Sequence, residues 1–315
     1  MRQARTPLRP DQRADPSPGQ SVKDRAFSTV GLWVIVALII WVGGLFSIAE
    51  QACFGLLALI IGAAQYEFYQ LARRIPGVGR PDVTGVVAGF VLLFALFFLA
   101  PEEARANLLL TIGALLFGTH LLTLLRRPGE VPSLLRRFPT LYGFAYLPFM
   151  LASLIAIARM KEGQLLTTES VGLYYVVWVF VATKFTDVGG LIIGVPFGKH
   201  KIAPNISPAK SWEGCLGGIL VSALASGLYA WLLRDVVDVS FMVPWKAAVL
   251  ALPLALLSIP SDLIESVFKR LAGAKDSGAT IPGIGGALDL IDSMVLTSPA
   301  ALILLSYCLA WARHG

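Results

Sequence analysis

The chain reads as an all-α, polytopic membrane protein of about nine transmembrane helices with its N-terminus in the cytoplasm. Three observations predict this. First, hydrophobic residues make up 56% of the 315 and charged residues 15%, where soluble domains are about 25% charged. A globule of this size needs a wettable surface that such a chain cannot supply, so a soluble enzyme, a disordered chain and a fibrous protein are excluded. Second, the apolar residues come in continuous runs rather than in alternation, which favours helices over a barrel. Third, the basic residues are spread unevenly between the runs.

Residues 1–25 are polar and hold Arg2, Arg5, Arg9, Arg13, Lys23 and Arg25. They read as a disordered cytoplasmic tail. With no apolar core and cleavage site at its start, this tail is not a signal peptide, and the first span serves as a signal anchor. The runs fall at 27–48, 51–71, 83–100, 107–125, 139–158, 171–195, 214–233, 243–265 and 286–311. Each approaches or exceeds the roughly 20 helical residues that cross a bilayer. The chain divides into N-terminal transmembrane helices over 26–160 and a C-terminal catalytic region over 171–312. Cys53, Cys215 and Cys308 all lie in apolar stretches. Their spacing suggests neither a zinc site nor a disulfide framework, and they read as packing residues.

Orientation follows from the basic residues. With the N-terminus inside, nineteen lie on inner segments: the six of the tail, Arg73, Arg74, Arg80, Arg126, Arg127, Arg136, Arg137, Lys199, Lys201, Lys210, Lys269, Arg270 and Lys275. Six lie outside: Arg105, Arg159, Lys161, Arg234, Lys246 and Arg313. Lys184 stands within a span. This asymmetry puts the N-terminus in the cytoplasm. The net charge of +6 is therefore a matter of loops rather than of nucleic acid. No sequence repeat supports an inverted-repeat transporter.

The N-terminal spans are nearly free of charge. Glu67, at the inner end of the second, reads as a side chain reaching the interface near Arg73 and Arg74. In the C-terminal half, Lys184, Asp187, Asp262, Glu265, Asp289 and Asp292 fall in or beside spans. A charge at the bilayer centre costs at least about 2.5–3.5 kcal/mol, so such residues mark a polar cavity or a site. Lys184 and Asp187 could equally form a local ion pair. Two inner loops flank these charges. GKHKIAPNISPAKSWEG, residues 198–214, is basic and ends at a helix start with Ser211 as N-cap. KRLAGAKDSGATIPGIGGALDLID, residues 269–292, is rich in glycine. Glycines let backbone N–H groups approach an anion. Asp289 and Asp292 then open the last helix three residues apart, a spacing that places both on one face. Two carboxylates there call for a cation, and Mg²⁺ takes a few carboxylates together with substrate phosphates. No Cys/His cluster offers zinc a site. The residues thus suggest phosphoryl or nucleotidyl transfer between a polyphosphate and a lipid.

Two stretches resemble a known family. Ser261-Asp-Leu-Ile-Glu-Ser-Val-Phe-Lys-Arg270, Lys275-Asp276-Ser277-Gly278, Pro282-Gly283, Gly285-Gly286 and Leu288-Asp289 through Asp292-Ser293 resemble the signature of the phosphatidate cytidylyltransferases, the CDP-diacylglycerol synthases. Asp187, Phe197-Gly-Lys-His-Lys201, Ala203-Pro204, Ile206-Ser207-Pro208 and Lys210-Ser-Trp-Glu-Gly214 are similar to that family's other marked region. The resemblance is detailed over about 180–295.

It implies transfer of a cytidylyl group from CTP to phosphatidate with Mg²⁺, and with room for a second cation, giving CDP-diacylglycerol and pyrophosphate. Asp289 and Asp292 match the metal-binding pair. Asp187, Asp262, Lys275 and Asp276 match further polar positions of the catalytic set. Lys199, Lys201, Ser207, Lys210, Lys269 and Arg270 are assigned to the substrate phosphates, Lys275 sharing that charge, and Glu213 matches the first loop. The implied partners are CTP, a phospholipid acid such as phosphatidate and membrane lipid, with no nucleic acid and with a homodimer as a candidate assembly. The implied place is a bacterial inner membrane, with the site facing the cytoplasm. Two departures stand out: Ile284 where the family has His, and Leu290 where it has Arg. Other cations could substitute, the substrate could differ, or the member could be inactive. A CTP-dependent lipid kinase shares the same groups, and a non-catalytic transporter or lipid-binding protein is the reading from another class.

The basic asymmetry generates a prediction. A cysteine at Ala209→Cys or Gly273→Cys should resist an impermeant thiol reagent in intact cells and react in opened ones. Labelling in intact cells would overturn the orientation.

Overall fold

The computed structural model describes residues 48–99, 131–160, 171–237, 241–278, 280 and 285–314. It is almost wholly helical. In chain order the elements are α1 (Ala49–Ala72), α2 (Thr84–Phe94), α3 (Val131–Phe144), α4 (Met150–Ala158) and α5 (Val171–Phe197). Two short strands follow, β1 (Lys201–Ala203) and β2 (Ser207–Ser211), then α6 (Trp212–Leu233), α7 (Pro244–Leu271), α8 (Ala287–Ile291) and α9 (Met294–His314).

Six helices among the described residues are long and apolar enough to cross a membrane: Ala49–Ala72, Phe138–Ala158, Val171–Phe197, Trp212–Leu233, Pro244–Leu271 and Ala287–Trp311. The expected run at 83–100 is helical but shorter, Thr84–Leu99. The tail and the expected runs 27–48 and 107–125 lie outside the described residues, apart from Ile48. The chain is a membrane protein whose spanning elements are helices.

Two helices carry a π turn. Ala95–Leu99 extends α2, and Ala145–Phe149 joins α3 to α4. Pro148 lies in the second turn. A proline cannot donate to the ladder, and the wider turn absorbs the mismatch. Helix α7 starts with Pro244 at its first turn, where the missing N–H is an orphan anyway, and ends on Lys269 and Arg270, which suit the negative end of its dipole.

The core is built by α1, α4, α5 and α9. Leu151, Leu154, Tyr175, Trp178, Val295 and Leu305 are all nearly inaccessible. The packing of α5 on α6 is different, because glycines bring the two backbones together. A Cβ built on Gly218 would lie 3.2 Å from the Gly190 nitrogen, and one on Gly194 would lie 3.2 Å from the Gly214 Cα. At this approach the Ser222 hydroxyl donates to the Ala182 carbonyl across the helices at 2.6 Å. Small residues and interhelical hydrogen bonds hold helices together where lipid removes the hydrophobic drive.

The first basic loop contains an antiparallel β-hairpin, β1 with β2, where sequence suggested only a loop. The last expected span is broken. Asp292 closes α8 in helical conformation, its N–H donating to the Leu288 carbonyl at 2.9 Å, so it keeps helical spacing to Asp289, and the break before α9 follows at Asp292 and Ser293.

Gly218→Leu should therefore wedge α5 from α6 and cost about 1–3 kcal/mol of stability, the usual penalty of overpacking. Gly55→Ala, with nothing within 4 Å of the added carbon, should be neutral or slightly stabilising. Thermal unfolding of the purified protein in detergent checks both, and an unchanged melting temperature for Gly218→Leu refutes the close packing.

Candidate active site

The two loops meet at one end of the bundle. Ser211 caps α6, accepting the Gly214 N–H at 3.2 Å. Glu213, in the first turn of α6, accepts the backbone N–H groups of Lys199 at 3.1 Å and His200 at 3.2 Å. Its carboxylate also lies 2.6 Å from His200 Nδ1. This fastens the start of the hairpin to the helix and leaves Lys199 and Lys201 exposed. Arg270, at the end of α7, donates through Nε to the Ile206 carbonyl at 3.1 Å, so the hairpin turn is tied to the second loop. It also donates to the Ala274 carbonyl at 3.3 Å.

Below this surface lies an acidic core. Asp262 and Glu265 stand one turn apart on α7, and Asp292 comes from the break after α8. Each offers one oxygen to a group whose members lie within 4.8 Å of one another. Glu265 is fully buried, and its Oε1 has no hydrogen-bond partner among the described residues. Its Oε2 has no hydrogen bond either and keeps only an ion-pair contact to Lys269 Nζ at 2.5 Å.

Each of the three carboxylates faces a lysine. Lys210 of β2 pairs with Asp262. Lys184 of α5 lies 3.4 Å from Asp292 Oδ1 and 3.6 Å from Asp187 Oδ2, and donates to the Ser293 hydroxyl at 2.7 Å. Lys269 also reaches Asp289 Oδ1 at 2.8 Å. In this connected set five carboxylates meet three ammonium groups, so two carboxylates have no ammonium of their own. That excess matches one divalent cation. The all-oxygen donor set and the unpartnered Glu265 oxygen fit a hard ion such as Mg²⁺.

Asp289 is held differently. Its Oδ2 accepts the Gly286 N–H at 2.8 Å, the Ser277 N–H at 3.1 Å and the Ser277 hydroxyl at 2.8 Å. The structure thus brings Asp292 to Asp262 and Glu265, and seats Asp289 beside Lys269 on the glycine-rich loop. Lys275 and Asp276 are exposed on that loop. Ser207 opens β2, half-buried. Leu290, in place of the expected Arg, is buried in the core, and Ile284 lies outside the described residues.

Three participants escaped sequence reasoning. Glu265 stood out only as one ionisable residue among six, although it lies three residues after Asp262 and four before Lys269. Glu67 does not reach the interface near Arg73 and Arg74. It is 4% exposed and turned inward onto the second loop, because α1 packs against α8. Tyr146, in the π turn, buries a hydroxyl with no hydrogen-bond partner among the described residues, within electrostatic range of Asp292, Glu265 and Asp262. Nothing in its sequence surroundings signals this.

A profile of the cytidylyltransferase family matches residues 23–308. The chain belongs to the cytidylyltransferase family. Among curated relatives, a phosphatidate cytidylyltransferase of Staphylococcus saprophyticus is 39% identical over 155 residues, covering 48% of this chain and 57% of the relative. One of Mycobacterium bovis is 38% identical over 135 residues, covering 41% of each. One of Haemophilus influenzae is 28% identical over 264 residues, covering 77% of this chain and 87% of the relative. The chain spans about half the length of the first two relatives and most of the third. For this cytidylyltransferase-family member, the comparisons extend the likeness well beyond the two loops.

The lysine–carboxylate pairs generate a prediction. Lys269→Met strips Glu265 and Asp289 of their counter-ion and should destabilise the fold by about 3–5 kcal/mol, as when one partner of a buried pair is removed. Adding Glu265→Gln should recover part of the loss. Chemical denaturation in detergent measures both. No recovery in the double variant would mean that Lys269 acts by packing alone.

Proposed function

We propose that this protein transfers a cytidylyl group from CTP to phosphatidate, releasing pyrophosphate and forming CDP-diacylglycerol. The observation that carries this reading is the convergence of the Asp262, Glu265 and Asp292 carboxylates with two basic loops at one end of a lipid-embedded bundle. The printed names of the relatives support the choice of substrates. The basic asymmetry of the loops supports a cytoplasm-facing site, and the bacterial relatives support an inner-membrane location.

In the reaction, a phosphate oxygen of phosphatidate forms a bond to the α-phosphorus of CTP. The bond from that phosphorus to the bridging oxygen of the β-phosphate breaks, and pyrophosphate leaves with the electron pair. Such chemistry needs positioning and charge neutralisation more than a side-chain nucleophile. Exposed Lys199, Lys201 and Arg270 would meet the arriving triphosphate. Ser207 would add a hydroxyl, Lys210 and Lys269 would follow deeper, and Lys275 with Asp276 would border the entry on the loop. Asp262, Glu265 and Asp292 would hold Mg²⁺, with Asp289 and Asp187 close by through Lys269 and Lys184. Bound there, Mg²⁺ would offset charge on the triphosphate and on the departing pyrophosphate. Leu290 supplies no guanidinium, and Lys184 and Lys269 stand nearby as alternative cations.

The experiment is pyrophosphate release by the purified protein with CTP, Mg²⁺ and phosphatidate, each other NTP serving as comparison. Asp292→Asn should lower turnover about 10²-fold or more, the scale seen when one preorganised charge is lost, while the protein still folds, because Lys184 keeps Asp187 and Ser293 as partners. Asp15→Asn, in the tail, should change nothing. Near-normal turnover of Asp292→Asn at ordinary Mg²⁺ would sink the metal assignment. Labelled CTP yielding a phosphorylated lipid instead of a CDP-lipid would favour the lipid-kinase reading.

A further inference from the structure

We infer that Glu67 is a positioning residue, which sets the glycine-rich loop, and through it Asp289, from the N-terminal half of the chain. Its link to turnover rests on the proposed function; its structural part does not. Glu67 sits on α1, 210 residues before Ser277. Its carboxylate is buried, and no lysine or arginine pairs with it among the described residues. A buried carboxylate in that state must collect hydrogen bonds instead. All three donors come from the loop and the start of α8. The Ser277 hydroxyl lies 3.1 Å from Oε2, the Leu288 N–H donates to Oε2 at 2.9 Å, and Thr280 Oγ1 contacts Oε1.

Ser277 is the relay. Its hydroxyl also lies 2.8 Å from Asp289 Oδ2, and its backbone N–H donates to the same oxygen. One hydroxyl hydrogen therefore stands between two carboxylates, one from each half of the chain. Displacing Glu67 releases Ser277, and with it the face of Asp289 opposite Lys269.

The glycines of the loop carry the same message. A Cβ on Gly278 would lie 2.6 Å from Glu67 Cδ, and its three nearest atoms are all of Glu67. A Cβ on Gly286 would lie 2.9 Å from the same carbon. Gly278 is not in the left-handed region, so backbone conformation does not demand glycine there. The carboxylate occupies the space a side chain would take.

The test uses the full chain in detergent and two readouts. Amide hydrogen exchange of the segment holding Leu288 reports the anchor without any substrate. Turnover of CTP with phosphatidate reports its consequence. Glu67→Ala should speed exchange at Leu288 about tenfold, as for the loss of one buried hydrogen bond. It should lower kcat by about tenfold or more and move the CTP KM less than about threefold, since the effect reaches the acid and not the nucleotide. Glu67→Gln, which keeps one acceptor, should fall between. Gly278→Ala should reproduce the effect, and Glu67→Ala/Gly278→Ala should be no worse than either single change, because the clash has lost its partner. Should Glu67→Ala not fold, Gly278→Ala and Glu67→Gln carry the same comparison. Unchanged exchange at Leu288 in Glu67→Ala, or fully additive losses in the double variant, overturns the inference. Faster exchange beside a wild type that does not turn over CTP with phosphatidate upholds the anchor and rejects the functional reading.

Discussion

The rest of the structure turns on one constraint: Asp262, Glu265 and Asp292 are close together in a bundle whose outer solvent is lipid. An uncompensated charge there costs several kcal/mol, and two like charges in contact cost more. The fold answers with a lysine for each carboxylate, drawn from a different element every time. Lys210 comes from the hairpin, Lys184 from α5 and Lys269 from α7 itself. The charges thus determine which elements must approach one another. The hairpin must fold back over α7, α5 must lie beside the break after α8, and α7 must keep its last turn intact.

Backbone geometry follows from the same demand. The last span breaks directly after Asp292, whose own N–H still bonds the Leu288 carbonyl in the ladder of α8. The turn at Asp292 and Ser293 frees local backbone groups, and Ser261 takes up two of them. Its hydroxyl donates to the Asp292 carbonyl at 2.5 Å and accepts the Leu296 N–H at 3.2 Å. Irregular backbone at membrane depth is tolerated only where protein satisfies it. The glycines between α5 and α6 serve the same end, since close approach of those helices brings Lys184 and the hairpin to one side of α7.

The class of fold was legible because apolar runs of about 20 residues leave few alternatives in lipid. The span boundaries were less so, as a run of hydropathy does not mark a π turn or a two-residue break. The polar chemistry was legible in its composition but not in its pairing. Spacing alone placed Asp289 and Asp292 together, three residues apart. Their different partners lie 12 and more residues away, Ser277 at the Asp289 carboxylate and Ser261 at the Asp292 carbonyl, which no local pattern reveals. Glu67 was misread for the same reason. Its neighbours in sequence, Arg73 and Arg74, suggested an interfacial residue, whereas its partners lie more than 200 residues on.

The pairing also says something about how such a site could work. A site whose carboxylates were all satisfied would have little reason to take a metal, and one with none satisfied could not be buried. Here three ammonium groups stabilise five acids, and neither Glu265 oxygen has a hydrogen-bond partner among the described residues. Arrival of a divalent cation would lower the hold of the carboxylates on Lys210 and Lys269. Lys210 belongs to the hairpin that carries Lys201, and Lys269 precedes Arg270 on α7, so positive charge released there would be available to the triphosphate of the proposed reaction. Metal and nucleotide would then favour each other's binding through the lysines they share, with no change of fold required.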